Sequence, residues 1–139
     1  MKYLCSFLPV VRVLVIVMLL SSVFTGCGDD PAALAPFEPE VSNVDDSFSL
    51  QATGVTGISS VVRYTWPNSG TRASINHSTT TEAGTASLVI KDSAGTTVYS
   101  KNLSPSLNEP TTIGVAGNWT IELTLTNYRG TINFEAQKL

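Results

Sequence analysis

The stretch that decides the fold is Trp119-Thr-Ile-Glu-Leu-Thr-Leu-Thr126. Apolar side chains occupy every second position from Trp119 to Leu125, and Thr or Glu occupies the positions between them. Because successive side chains of an extended chain point to opposite sides, one face of this segment is apolar and the other is polar. A strict period of two predicts a strand of an antiparallel sheet that has one face on a core.

The same alternation continues on both sides of this strand. Residues 129–137 alternate likewise, and Asn127-Tyr-Arg-Gly130 predicts a turn that joins the two segments into a hairpin, with Gly130 free to take a positive φ. A second hairpin is predicted from residues 86–91 and 96–101. Its turn is Asp92-Ser-Ala-Gly95, in which Asp suits the first position and Gly the last.

Further short runs bounded by Gly, Asn, Asp and Pro complete the pattern. We expect four more strands, over residues 48–53, 58–66, 71–77 and 109–115. The total is about eight strands within residues 47–139, and no segment has a helical period. This spacing predicts an all-β domain, a single small antiparallel β-sandwich rather than a closed barrel. Jelly-roll and immunoglobulin-like topologies both stay open.

The first 27 residues have a different composition. Lys2 and Arg12 carry positive charge, residues 13–24 are an apolar run with two serines near its end, and Gly26 precedes Cys27. A basic segment, a short apolar segment and small residues at a cut site are typical of a secretory signal. A bilayer-spanning helix needs about 20 apolar residues, so this run is short for an uncleaved anchor.

The segment Val23-Phe-Thr-Gly-Cys27 resembles the lipobox of bacterial lipoproteins, although Phe24 stands where that family usually has Leu. The resemblance implies that the signal peptide, residues 1–26, is removed and that lipid is attached to the thiol of Cys27. The protein would then be held on a membrane by its acyl chains. In that family Asp directly after the cysteine favours the inner membrane. Gly28 at this position therefore favours the outer membrane.

Residues 27–46 are predicted to be the lipidated cysteine and an acidic Pro/Ala tether, because they hold three prolines and six acids. Fully extended, this tether would reach roughly 60 Å. Phe37 is its one large apolar residue, and we expect it to dock on the domain. Processing leaves 113 residues (139 − 26) with a net charge of −5 (6 − 11). Scattered basic residues in an acidic chain exclude nucleic acid as a partner.

Residues suited to catalysis are few, so we predict no enzyme, no metal and no cofactor. Cys5 leaves with the signal and Cys27 is claimed by lipid, so no disulfide is expected. His77, the one histidine, lies in a polar stretch and is expected to be a solvated loop residue. Glu122 and Glu135 share the polar faces of the predicted hairpin and would be near neighbours. A pair of neighbouring carboxylates can catalyse hydrolysis, so these two acids are the one basis on which the protein could be a small carboxylate-dependent hydrolase.

Aromatic residues are the better lead to a ligand, because sugar sites present flat rings beside polar groups. Trp66, Trp119 and Tyr64 share faces with apolar neighbours and are predicted to be core. In the predicted strand, Tyr99 lies on the face opposite to that of the apolar Val98, and Tyr128 lies in the predicted turn. We expect these two tyrosines to be exposed and to be the candidate ligand contacts.

Four segments of the domain, residues 64–68, 73–75, 86–95 and 117–121, resemble parts of small bacterial lipoproteins and of β-sandwich modules appended to secreted bacterial proteins. The resemblance spans roughly residues 58–136. It implies fold and location and assigns no chemistry. We expect a lipid-anchored envelope protein whose non-catalytic β-sandwich is a binding or structural module for a protein or glycan partner. The alternatives are a cell-surface carbohydrate-binding module and the small hydrolase.

Overall fold

The computed structural model describes residues 32–139, and most of these residues lie in strands. The predicted signal peptide, Cys27 and the start of the predicted tether lie outside the described residues. A 3₁₀ turn over Ala35–Phe37 comes first. The strands that follow are β1 (Glu40–Val44), β2 (Ser47–Asn68), β3 (Ala73–His77), β4 (Thr80–Lys91), β5 (Thr97–Asn102), β6 (Leu107–Pro110) and β7 (Gly117–Lys138). They form one antiparallel sheet of seven strands, which confirms the all-β, sandwich-like fold.

Two strands of 22 residues, β2 and β7, organise this sheet. They pair antiparallel along their whole length, from Ser47 opposite Gln137 to Asn68 opposite Gly117. The other edge of β7 pairs with β4 in its first half and with β3 in its second half. The first half-sheet therefore has the order β1-β2-β7-β3-β6, and the second half-sheet has the order β2-β7-β4-β5.

The long ribbon bends in its middle, so that the two half-sheets face each other. The register of β2 shifts around Val55 and Ile58, and that of β4 shifts around Ala83. Gly84 has a φ of +71°, and a Cβ there would collide with the carbonyl oxygens of Thr126 and Asn127. Bulges and glycines of this kind let a strand turn sharply without ending. We call this the bend end of the sandwich.

The opposite end, which we call the open end, brings the two ends of β2 together. The Asp46 N–H donates to the Pro67 carbonyl (2.8 Å), and the Lys138 N–H donates to the Asp46 carbonyl (2.9 Å). The Lys138 ammonium also contacts the Asp46 carboxylate at 2.6 Å. The turn over residues 92–95 and the loop over residues 111–116 lie at the same end, since the Val115 N–H donates to Asp92 Oδ2.

The predicted hairpin at residues 127–130 is wrong, and so is the break between the predicted strands 48–53 and 58–66. Asn127 (φ +45°) and Gly130 (φ +142°) bend β7 instead of reversing it, because pairing with β2 continues on both sides. The glycines of β2 do the same, so four predicted strands merge into two; with β1, which was not predicted, the strands number seven rather than eight. The second predicted hairpin is confirmed, with β4 and β5 joined through Asp92 to Gly95.

Aromatic side chains from both half-sheets meet in the core. Trp66 and Trp119 lie opposite each other in the β2–β7 register, and their rings form an edge contact with centroids 5.8 Å apart. Both are fully buried, as the sequence predicts. The ring of Phe48 in the first half-sheet packs against the ring of Tyr64 in the second, with the ring centroids 5.2 Å apart. Such contacts across the two layers hold the folded ribbon closed.

The folded part begins well before Ser47, so the predicted tether and domain boundary are wrong over much of residues 34–46. Leu34 is fully buried and Phe37 packs against the core, which confirms the docking expected of Phe37. β1 pairs with the edge of β2, from Glu40 opposite Gln51 to Val44 opposite Ser47. All five β1 side chains are exposed, so backbone pairing holds a strand that has no apolar pattern.

Candidate functional site

A groove between β5 and β6 brings together the buried Tyr99 hydroxyl and the charged side chains of Lys101 and Glu109. Among the described strands β5 pairs with β4 alone and β6 pairs with β3 alone, so two strand edges face each other on one side of the sandwich. The Thr112 N–H donates to the Val98 carbonyl at 3.0 Å and ties the edges together at one end. The groove has a volume of about 400 Å³ and is lined by Thr97, Val98, Tyr99, Ser100, Lys101, Glu109, Pro110 and Thr112.

Strand register aims three polar side chains at one another across this groove. Tyr99 and Lys101 lie opposite buried residues of β4, and Glu109 lies opposite the buried Ile75 of β3. Directly opposed residues share a face of the sheet, so all three extend the inner faces of their half-sheets. Lys101 Nζ lies 3.2 Å from Glu109 Oε1. This ion pair connects the two half-sheets where their backbones are not paired.

Tyr99 is buried, not exposed as expected, with only 5% of its surface accessible. The reason is a bulge: Ile90 pairs with Tyr99 and Lys91 with Thr97, which leaves Val98 as an extra residue. Strict alternation is lost there, and both Val98 and Tyr99 turn inward. The Tyr99 hydroxyl has no hydrogen-bond partner of good geometry. Burial, together with the charge and hydrogen-bonding oxygen of Glu109, raises the pKa of Tyr99 to about 12.

His77 is likewise buried at the end of β3 and not solvated in a loop as expected. His77 lies two residues after Ile75, so the alternation of β3 places both side chains on the same inner face. The polar residues next to His77 in the sequence obscure this pattern. Neither ring nitrogen makes a hydrogen bond. Burial lowers the pKa of His77, and the Glu109 charge and the Leu103 backbone only partly offset this effect. The Glu109 carboxylate therefore acts on His77, Tyr99 and Lys101 together.

Tyr128, the second tyrosine expected to be exposed, is fully buried at the bend end. Its hydroxyl lies 3.1 Å from the carbonyl oxygens of Thr80 and Thr131 and donates to them. These carbonyls belong to the paired region where β4 meets β7 at the bend. The expectation of exposure is wrong because the chain does not turn back at residues 127–130. Tyr128 stabilises the bend, and its hydroxyl is already occupied.

The structure does not bring Glu122 and Glu135 together, so the expected acid pair is wrong. Glu122 lies on the outer face of the second half-sheet, with Arg63 Nε at 2.9 Å and Lys91 Nζ at 3.8 Å. Glu135 lies on the outer face of the first half-sheet, beside Ser49 and Asn76 in the register. Since β7 is one bent strand, the two acids point away from each other on opposite layers.

The open end is a set of loops held by side-chain hydrogen bonds. Burial raises the pKa of Asp92, but N–H groups from Val115, Thr96, Ala94 and Gly95 outweigh it and hold the pKa below its ordinary value. Trp119 Nε1 donates to the Val115 carbonyl at 2.8 Å. The loop over residues 111–116 is thus fixed, although Ile113 is 76% exposed.

A second, smaller depression of about 270 Å³ at the open end is lined by Asp45, Asp46 and Asn68, among others. Its Asp46 carboxylate is occupied, because it accepts hydrogen bonds from Ser69 and contacts Lys138. Across residues 32–139, no group of three or more His, Cys, Asp or Glu side chains is placed to hold a metal ion. Over the same residues, no helix has the length and apolar character needed to cross a bilayer.

Lys101 and Glu109 are the groove residues that sequence reasoning did not single out. They lie eight positions apart on different strands, and only the folding of the two half-sheets brings them together. One weak signal existed, since Lys101 shares strand parity with Tyr99. Comparison with known proteins adds no functional lead: no family model matches the chain, and no curated protein or solved structure matches it significantly.

Proposed function

We propose that this protein is a lipid-anchored component of a bacterial envelope, preferentially at the outer membrane, and that its β-sandwich is a non-catalytic binding module. The anchor is argued from the lipobox-like segment ending at Cys27. That segment is the observation that carries the proposal, and the structure adds the position of Leu34, which is buried in the core only seven residues after Cys27. At most about 3.6 Å per residue, that link spans no more than roughly 25 Å. Lipid on Cys27 would therefore hold the domain close to the bilayer.

The direction of β1 supports an orientation for the anchored domain. β1 runs from Glu40, opposite Gln51, towards Val44 next to the open end. The chain therefore approaches the domain from the bend side, which would face the membrane. The loops of the open end would then point away from the bilayer, where a partner in the envelope could reach them.

Binding is favoured over catalysis by the state of the groove side chains. Glu109 is held by Lys101, and Tyr99, with a pKa of about 12, is protonated at neutral pH and offers a hydrogen bond rather than a base. A general base must carry a pKa near the working pH and reach the proton that it takes. The groove instead supplies donors and acceptors fixed on two strands, as a recognition site requires.

The anchor is tested by comparing Cys27→Ser with the matched control Cys5→Ser in the full chain. We expect Cys27→Ser to abolish incorporation of radiolabelled palmitate and to move the protein out of the membrane fraction. Cys5→Ser should change neither result, because that residue lies in the removed signal. Undiminished labelling and membrane fractionation of Cys27→Ser would contradict the proposal.

A further inference from the structure

We infer that the groove between β5 and β6 binds a neutral, hydroxyl-rich ligand, a sugar unit, through Tyr99, Lys101 and Glu109. This inference rests on the proposed role as a binding module and names the ligand class of that module. It starts from the Tyr99 hydroxyl, a buried polar atom that lies beside the Glu109 carboxylate but makes no hydrogen bond of good geometry, in a residue that lines the groove. Buried hydroxyls are nearly always paired, and a ligand hydroxyl would serve as donor or acceptor for this one.

The charges of the groove select against charged ligands. Lys101 and Glu109 lie 3.2 Å apart, and their side chains are 47% and 33% exposed, so both remain accessible from solvent. Their charges cancel, and any ionic ligand attracted to one is repelled by the other. Two neighbouring hydroxyls of a sugar can accept from the ammonium and donate to the carboxylate at once. A neutral polyol thus bridges the pair without breaking it.

Size and backbone chemistry favour a small molecule over an added peptide strand. The groove volume of about 400 Å³ falls within the range of roughly 300–1,000 Å³ that is usual for small-molecule sites. Pro110 lines the groove on β6 and has no N–H to donate to an incoming strand. Its ring instead offers an apolar surface for the C–H groups of a sugar. Edge-strand pairing is further opposed by the Lys101–Glu109 bridge.

The test is a calorimetric titration of the full acylated chain in a zwitterionic detergent that has no sugar headgroup. The probes are glucose, galactose, mannose and N-acetylglucosamine with their short β-linked oligomers; glutamate, lysine and an extended tetrapeptide serve as rival ligands. We expect saturable binding of at least one neutral saccharide. Tyr99→Phe removes one hydrogen bond and should weaken that binding about fivefold to tenfold. Glu109→Gln should weaken it at least as much.

Matched variants separate a ligand contact from a structural role. Tyr128→Phe and Glu122→Gln remove a bonded hydroxyl and a paired acid elsewhere, so saccharide affinity should stay unchanged. Tyr99→Phe removes a buried hydroxyl that makes no hydrogen bond of good geometry in the free protein, so its unfolding temperature should hold or rise, whereas that of Tyr128→Phe should fall.

Binding of no saccharide, binding of the charged or peptide probes alone, or an affinity that Tyr99→Phe leaves unchanged would each overturn the inference. These outcomes are independent of the palmitate and fractionation results for Cys27→Ser. Failure of the sugar site is therefore distinguishable from failure of the anchor.

Discussion

His77 and Asp92 are both buried, yet their surroundings favour opposite charge states. Asp92 accepts hydrogen bonds from several backbone N–H groups, which keep its carboxylate ionised and hold the loop over residues 111–116. His77 has no hydrogen bond to either ring nitrogen, so burial favours its neutral form. Asp92 therefore stabilises the fold through its charge, whereas His77 is compatible with the fold only while it is uncharged.

We predict that stability falls in mild acid because of His77. Its pKa is lowered by folding from an unfolded value of about 6.5. The unfolded chain thus binds the proton more tightly, and stability is complete above about pH 6.5 and decreases as the pH falls towards the folded pKa. Urea unfolding at pH 7.5 and pH 5.5 measures this loss, and His77→Leu should reduce it. An identical loss in His77→Leu would contradict the assignment. Asp92 affects stability only below about pH 4, outside this window.

At the scale of elements, the bend in β2, β4 and β7 converts one sheet into two facing layers. The bend needs residues that adopt positive φ and leave room for a neighbouring backbone, and glycine meets both needs. The glycines differ in how closely they are packed. Around Gly84 the carbonyls of Thr126 and Asn127 occupy the space of a Cβ, whereas nothing lies within 4 Å of a Cβ at Gly54.

We predict that Gly84→Ala destabilises the domain much more than Gly54→Ala. Both positions have positive φ, of +71° and +63°, and this alone costs an alanine about 1–2 kcal/mol. Gly84→Ala adds the collision with two backbone carbonyls, and a total of about 3 kcal/mol or more is expected. Urea unfolding at neutral pH measures both. Equal losses would show that the bend at Gly84 opens freely to admit a side chain.

At the scale of the whole molecule, the proposed anchor would attach on the bend side of the sandwich, opposite the open end. The link from Cys27 to Leu34 is short, and β1 leads from the bend side towards the open end. The proposed anchor would therefore hold the domain with its bend end nearer to the bilayer on average. The loops beside Asp92 and Val115, which are joined by the hydrogen bond from the Val115 N–H to Asp92 Oδ2, would face away from the bilayer.

We predict that this orientation is visible with single fluorescent labels on the acylated protein bound to vesicles. Thr56→Cys labels an exposed position at the bend end, and Ala94→Cys labels an exposed position at the open end. A quencher attached to lipid headgroups should quench the Thr56 label more strongly. In detergent micelles without quencher lipid, the two labels should behave alike. Stronger quenching at Ala94 would contradict the proposed orientation.

Local chemistry in the sequence determined the all-β class, the buried tryptophans and the turn from Asp92 to Gly95. Each of these features follows from the alternation of neighbouring side chains or from the φ that a turn residue tolerates. Neither of these two causes depends on distant parts of the chain. The sequence also indicates Tyr99 as a candidate ligand contact, although it does so through an exposure that Tyr99 does not have.

Only the tertiary structure decided that residues 127–130 bend a strand instead of ending it, because pairing with β2 on both sides outweighs the local turn preference. It also decided that β1 exists, since all five of its side chains are exposed, and the strand is held by backbone pairing with the start of β2 and by Asn43 Nδ2, which donates to the Thr65 carbonyl at 2.9 Å. The groove depends on the same long-range events. A bulge in β5 turns Tyr99 inward, and the folding of two half-sheets places Glu109 beside Lys101. Register and layer contact arise between different strands, so the alternation within one strand does not encode them.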